Sequence, residues 1–199
     1  MVGSSPTIET ARLRLEPLAP RHLADYTALI AQPDVHRYLS RAQEIAADPA
    51  GQAARIVTVA AEQWASRGYG PFALFEKGSD VLIGRGGLFW IEALQDVEIN
   101  YMFDPTVWGR GYATEAAAEF LAIGFDRHDL ARMVATTNPA NAASAHVLQK
   151  VGMKPVGKKD LGGGRLVDLH EIGREAWRAG QAARMIRTSQ KAKQPSTAR

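Results

Sequence analysis

The sequence predicts an α+β domain in which a mixed sheet is flanked by helices. Three observations lead there. Short apolar runs bounded by turn residues alternate with longer stretches of helical spacing. Lys77-Gly-Ser-Asp80 joins two of the apolar runs as a hairpin turn. From Tyr101 an apolar strand enters a Gly-rich turn that opens directly into a helix, with small or apolar residues at Ala113, Ala116, Ala117, Phe120, Leu121 and Gly124.

The elements follow in order. Leu13, Leu15 and Leu18 suggest a first strand over Arg12–Leu18, and Pro20-Arg-His-Leu-Ala-Asp25 opens a helix. A second helix is predicted at Ala50–Ser66, then strands at Gly70–Glu76, Val81–Trp90 and Val97–Phe103. A helix at Ala113–His128, a strand at Arg132–Thr137 and a helix at Ala142–Val151 come next. Strands at Lys154–Lys159 and Leu166–Ile172 flank Leu161-Gly-Gly-Gly164, which reads as a hairpin turn because no helix follows it. Residues 1–185 are expected to form one domain. The end, 186–199, is expected to be a basic tail, disordered from Ser189, since it lacks apolar residues larger than Ala from there on. No internal repeat is evident.

Bulk properties exclude several classes. A chain of 199 residues with 46% hydrophobic content can bury one sizeable core. Nothing approaches eighteen consecutive apolar residues, and the first residues lack a charged and then apolar leader, so a cytoplasmic protein is expected. With 0 Cys there is no disulfide, thiolate metal site or Cys nucleophile, which fits that compartment. The five histidines are scattered without metal-ligand spacing, so no metal is expected.

The turn after Tyr101 carries the chemistry. Gly109 and Gly111 let an anion approach the N–H groups at the helix N-terminus, where unpaired donors and the helix dipole favour phosphate. Arg110 between them adds a charge. The turn lacks the Gly-Lys-Ser/Thr of a Walker loop and the three spaced glycines of a dinucleotide fingerprint. It resembles motif A of the GNAT superfamily of acyl-CoA-dependent N-acyltransferases, Gln/Arg-x-x-Gly-x-Gly/Ala, with Gly111 and Ala113 in its last two defined positions and Trp108 where Gln or Arg is usual. Trp108-Gly-Arg-Gly-Tyr-Ala-Thr-Glu-Ala116 is closer to the RimJ/RimL-type branch. Thr10-Ala-Arg-Leu-Arg-Leu-Glu-Pro-Leu18, Asp25, Pro33–Leu39, Gly84-Arg-Gly-Gly-Leu88 and Val97-Glu-Ile-Asn-Tyr101 resemble further parts of it in family order. So does Asn138-Pro-Ala-Asn-Ala-Ala-Ser144 with Leu148-Gln-Lys-Val-Gly-Met153, and together these cover roughly residues 9–172.

The resemblance implies a mostly antiparallel sheet of about seven strands, splayed between the family's fourth and fifth, with helices on both sides. It implies acetyl-CoA as co-substrate and a primary amine as acceptor, either a protein N-terminal α-amine or a small molecule. The main chain near Met102 and Phe103 would pair with the pantetheine arm. Trp108, Gly109, Arg110, Gly111, Tyr112, Ala113 and Thr114 would hold the pyrophosphate, with Asn138 and Asn141 also on the cofactor. Glu98 matches the branch's carboxylate for proton removal, the alternative being a strand Glu facing solvent. Asn100 and Tyr101 would stand behind it. Leu148 occupies the position of the family's Tyr acid, so Ser144 is the nearest donor to the leaving thiolate.

From the residues themselves, Asn141 is an N-cap candidate, Asn138 shapes the turn before Pro139, and Glu115 favours the helix dipole structurally. Asp168 and His170 lie on the last strand, near where the acceptor is expected, and could touch substrate. Trp64, Tyr69 and Trp90 either line a pocket built by residues 20–67 or belong to the core. Residues 1–100 carry a net charge of −3 and residues 101–199 of +6. That asymmetry suits a cationic acceptor and a polyanionic cofactor, although Arg184, Arg187, Lys191, Lys193 and Arg199 of the second half lie near the end. No nucleophile for an acyl-enzyme is evident, so transfer would be direct, in a monomer or homodimer, with no membrane or specific nucleic-acid partner. The alternative is a non-catalytic CoA-binding module of the same fold.

Overall fold

In the computed structural model, residues 7–162 and 164–192 are described, with side chains described as far as residue 183. Eight strands form one sheet: β1 (Ile8–Glu9), β2 (Leu13–Pro17), β3 (Pro71–Glu76), β4 (Leu82–Ile91), β5 (Asp96–Phe103), β6 (Arg132–Thr137), β7 (Lys154–Asp160) and β8 (Leu166–Gly173). Their spatial order is β1-β2-β3-β4-β5-β6-β8-β7. Every neighbouring pair is antiparallel except β5 and β6, which run parallel. The strand beyond the expected seven is the two-residue β1.

Helices cover both faces. Between β2 and β3 lie α1 (Leu23–Ala31), α2 (Pro33–His36), α3 (Ala42–Ala47) and α4 (Pro49–Arg67). The helix α4 starts where Asp48 accepts the Gly51 N–H at 2.9 Å with Pro49 at its first position, and it stops at a left-handed Gly68. After β5 comes α5 (Tyr112–Ala122), continued by a π turn over Ile123–Arg127; α6 (Ala142–Lys150) precedes β7. The last helix, α7 (Arg174–Ala192), runs past the point where the sequence suggested a disordered tail. Its Trp177 ring sits 5.2 Å from Phe125, so burial of one aromatic anchors the start of the helix. The tail beyond Ala192 and Gly163 of the glycine triplet lie outside the described residues.

The strand alternation sorts two cores onto two faces. One face packs Val97, Ile99 and Phe103 of β5 under Phe120 and Leu121 of α5, with Phe72 and Phe120 stacked at 6.3 Å. The other packs Met102 with Tyr26 and Ile30 of α1 and with Ala53 and Val57 of α4. The central strands β3 and β4 are buried on both faces, which is why they read as continuous apolar runs. At the far edge β7 is exposed throughout, protected by Lys154, Pro155, Lys158 and Lys159.

Candidate active site

The site is laid out along β5. The Asp104 N–H donates to Ile83 O at 2.8 Å, which fixes the hydrogen-bonded register of the β4–β5 ladder. Pairs two residues further, Arg85 with Met102 and Gly87 with Asn100, share that register. The backbone N–H and C=O of Met102 therefore point at β4, and those of Tyr101 and Phe103 point at β6. On that side the two strands share a single bridging register, Glu98 with Val134. Beyond it β5 presents unpaired backbone to a gap inside the sheet, where an extended amide chain can add as a strand. The backbone that faces the gap is that of Tyr101 and Phe103, while that of Met102 faces β4. Phe103 O already accepts from Trp108 Nε1 at 2.8 Å, which pins the half-exposed Trp108 against the strand end.

The chain leaves β5 through Asp104, whose Oδ1 accepts the Thr106 N–H at 2.9 Å and whose Oδ2 accepts from Gln32 at 2.8 Å. It then passes Gly109 (φ 75°) and Gly111 (φ 84°), a backbone form that costs an ordinary L-residue about 1–2 kcal/mol. Gly111 is the N-cap of α5 and has no side chain to cap with, so the first-turn donors of Tyr112, Ala113 and Thr114 stay open for an anion. The surrounding side chains are neutralised. Arg110 pairs with Glu76 at 2.9 Å and donates to Tyr112 Oη, and that hydroxyl in turn donates to Glu76. The Tyr112 side chain is thereby turned into the structure, leaving its N–H for the turn. Glu115 holds β2 to α5, accepting from Thr10 Oγ1 (2.6 Å), Arg12 N (2.7 Å) and Arg12 Nε (2.7 Å), as a structural residue should.

Glu98, Asn100 and Met102 share the α1/α4 face of β5, and Arg85 joins them from β4. Glu98 is 6% exposed, which removes the solvent-facing alternative. Its Oε1 accepts from both Thr136 N (3.0 Å) and Thr136 Oγ1, and Asn100 bonds it too. Oε2 keeps lone pairs for a proton. Burial drives this carboxyl above the ordinary 4.5, against the lowering effect of Thr136, Arg85 and Asn100. Arg85 Nη1 donates to Asn100 Oδ1 at 2.9 Å, which fixes the amide so that its NH₂ faces Glu98. Arg85, Asn100 and Glu98 thus form one polar row in an apolar face.

On the opposite face Tyr101 reaches α6, its Oη lying 3.2 Å from both Ser144 Oγ and Ser144 O. Burial pushes the phenol up to about 12, the Ser144 bond pulling weakly the other way, so it remains a donor at neutral pH. Asn141 caps α6 by accepting the Ser144 N–H at 3.1 Å, and Asn138 accepts the Ala140 N–H at 2.9 Å to shape the preceding turn. Leu148 is 1% exposed in the core.

The structure thus brings Glu98 and Ser144 to opposite sides of one splayed strand, with the uncapped turn at its end. Strand parity and packing place the remaining residues. Asp168 and His170 pair with Thr137 and Ala135, on the face away from Glu98, whose row on β8 holds Leu169 and Glu171. Trp90 pairs with Val97 at the far end of β5, Trp64 packs on Phe72 at 5.0 Å, and Tyr69 packs on His128 at 5.2 Å, so all three are core aromatics. Arg85 and Thr136 were not singled out from sequence. A lone arginine in the apolar run Leu82–Ile91 was the available signal for the first; Thr136 gave none.

Among the described residues no group of three or more His, Cys, Asp or Glu is placed to hold a metal, and no helix is long and apolar enough to cross a membrane. An N–H-lined helix start beside an interrupted sheet is the layout that the resemblance drawn from the sequence implies. The profile of the acetyltransferase (GNAT) domain matches residues 12–154, and the chain belongs to that family. It is similar to an uncharacterized N-acetyltransferase of Bacillus subtilis, 35% identical over 86 residues, covering 43% of this chain and 51% of that one. It is 26% identical over 163 residues to the FsC-acetyl coenzyme A-N(2)-transacetylase of Aspergillus fumigatus, covering 78% of this chain and 68% of that one. The chain spans about half the length of the Bacillus relative. The fold is shared with the ribosomal-protein-S5-alanine acetyltransferase of Vibrio fischeri, at a TM-score of 0.70 and 17% identity over 86% of this chain and 98% of that one.

Proposed function

We propose that the protein is an acetyl-CoA-dependent N-acetyltransferase of the RimJ/RimL type that acts on a primary amine by direct transfer in a ternary complex. One observation carries the reading: the proton acceptor Glu98 and the hydroxyl pair Tyr101–Ser144 flank the same gap in the sheet from opposite faces. The α5 turn holds the pyrophosphate through backbone N–H groups, and Tyr101 and Phe103 pair with the arm of the donor. An amine entering from the α1/α4 side attacks the thioester carbonyl carbon as its proton passes to Glu98, directly or through water. The carbon–sulfur bond then breaks, and the Tyr101–Ser144 hydroxyls donate to the departing sulfur. A backbone N–H in the gap stabilises the developing oxyanion.

The partly buried Tyr101–Ser144 hydroxyl pair stands in for the family Tyr that Leu148 displaces, which supports catalysis over a non-catalytic CoA sensor. The acceptor classes left open by the family are a protein N-terminus and a small amine. The test is a calorimetric titration with acetyl-CoA followed by turnover on an amine panel. Saturable one-site binding with acetylated product supports the reading; no binding at millimolar acetyl-CoA overturns it.

A further inference from the structure

Arg85 is the one arginine among the described residues that is buried, and it forms no ion pair with a carboxylate. Arg12, Arg14, Arg110, Arg132 and Arg174 each reach an acidic group, Glu115, Asp80, Glu76, Asp96 and Asp129 respectively. Arg85 is 6% exposed, and among the described residues no ion pair joins it. Its single hydrogen bond goes to the neutral amide of Asn100, and its Nε has neither a partner nor access to solvent. The rings of Phe89 (4.9 Å) and Tyr26 (5.8 Å) flank the guanidinium and give it partial compensation. A buried guanidinium with an unspent donor is costly unless an anion completes it. Glu98 feels the charge of Arg85 but makes no ion pair with it, and once Glu98 takes up the proton of the reaction that compensation is lost.

We propose that Arg85 is the anion-recognising group of the acceptor site, and that the acceptor is a small amine bearing a carboxylate a few bonds from its nitrogen, as a free α-amino acid does. This rests on the transferase reading above. The row Arg85–Asn100–Glu98 presents a cation at one end and a proton acceptor at the other, which complements a molecule whose amine and carboxylate are neighbours. A protein N-terminus offers a neutral amide where the carboxylate would lie and leaves Arg85 uncompensated.

The test compares kcat/KM of the unaltered protein, with acetyl-CoA as donor, on free amino acids, on the matching amino-acid amides and on peptides with free N-termini. A preference for acids over amides of roughly 10–100-fold is expected, the size of one charge-assisted hydrogen bond. In Arg85→Gln that ratio falls toward one, and Arg85→Lys recovers part of it, while calorimetry with acetyl-CoA verifies that each variant retains a formed donor site. Amides or peptides used as well as the acids overturn the proposal, as does an acid preference that survives Arg85→Gln. The comparison on the unaltered protein stands even if the variants do not fold. Acetyl-CoA binding without acid selectivity sinks this proposal alone; absence of acetyl-CoA binding sinks the transferase reading and this one with it.

Discussion

The phosphate turn and the Glu98 row lie along the same strand and its exit, yet they are made of opposite materials. The turn is backbone: two left-handed glycines, an N-cap without a side chain, and arginines already matched by Glu76 and Glu115. The row is side chain: a carboxylate, an amide and a guanidinium buried among Phe89, Tyr26 and Met102. A polyanion needs only aligned donors, which the helix start supplies without net charge. Proton transfer needs a titratable group held where water does not screen it, and that requires burial. The turn is therefore expected to respond to substitution through geometry, and the row through protonation.

The sharpest way to break this comparison is Glu98→Gln. Turnover is expected to fall by roughly 10²–10⁴ with acetyl-CoA affinity retained, measured by steady-state kinetics and calorimetry. Because the carboxyl is raised above 4.5, kcat/KM should climb with pH through that higher value and then level off. The sign for stability is opposite to that of a salt-bridged carboxylate. The folded form binds the proton more tightly than the unfolded chain, so this group's contribution declines as pH rises from 4.5 through the folded pKa. Gln keeps an oxygen for Thr136 and carries no charge. Denaturant melts should find the variant no less stable than the parent at neutral pH, and a large loss of stability would mean that Glu98 is held for structure.

Gly111→Glu tests the turn. It forces an L-residue into φ 84°, at about 1–2 kcal/mol, and sets a carboxylate among the first-turn donors. Acetyl-CoA affinity should fall by roughly tenfold or more, with little change in the pH dependence governed by Glu98. Unaltered affinity would remove the turn from cofactor binding.

These two regions also differ in how far the sequence disclosed them. The Trp108–Ala116 turn and the Asn141 cap are local devices, whose residue types and spacing state their geometry. The element order and the hairpin at 77–80 followed from the same local patterns, whereas the sequence left Glu98 open between a site carboxylate and a solvent-facing strand residue. The row did not follow from them, because Arg85, Asn100 and Thr136 meet only through pairing of β4, β5 and β6. Parity across strands likewise puts Asp168 and His170 on the face away from Glu98, a choice a single strand read alone cannot make. The helix α7 is poorly legible in the sequence because Trp177 is its one large aromatic and the rest of its apolar residues are mostly Ala.

Beside the phosphate turn stands Glu115, which ties the β1–β2 turn to the start of α5. Glu115→Ala removes three hydrogen bonds and leaves Arg12 without its carboxylate. The bridge is partly solvent-exposed, so the expected loss is about 1–3 kcal/mol, read as a lower midpoint in urea. Acetyl-CoA affinity should weaken only slightly, since the N–H groups of the turn remain. A loss of affinity as large as that of Gly111→Glu would show that the turn depends on its side-chain clasp and not on backbone alone.

The smallest expected effect distinguishes a hydroxyl pair from two separate hydroxyls. Tyr101→Phe removes the Oη that sits between Ser144 Oγ and Ser144 O while keeping the ring in the core. A neutral hydrogen bond of about 1 kcal/mol corresponds to roughly a fivefold fall in kcat, with KM for acetyl-CoA unchanged. A pKa of about 12 keeps the phenol protonated across the working range, so the parent profile should show no descending limb from this group near neutral pH. If Tyr101 acts by orienting Ser144, then Ser144→Ala should cost about as much, and the double variant little more than either single one. Additive losses would instead mean that each hydroxyl reaches the sulfur independently, and the two faces of β5 would then differ in number of donors as well as in charge.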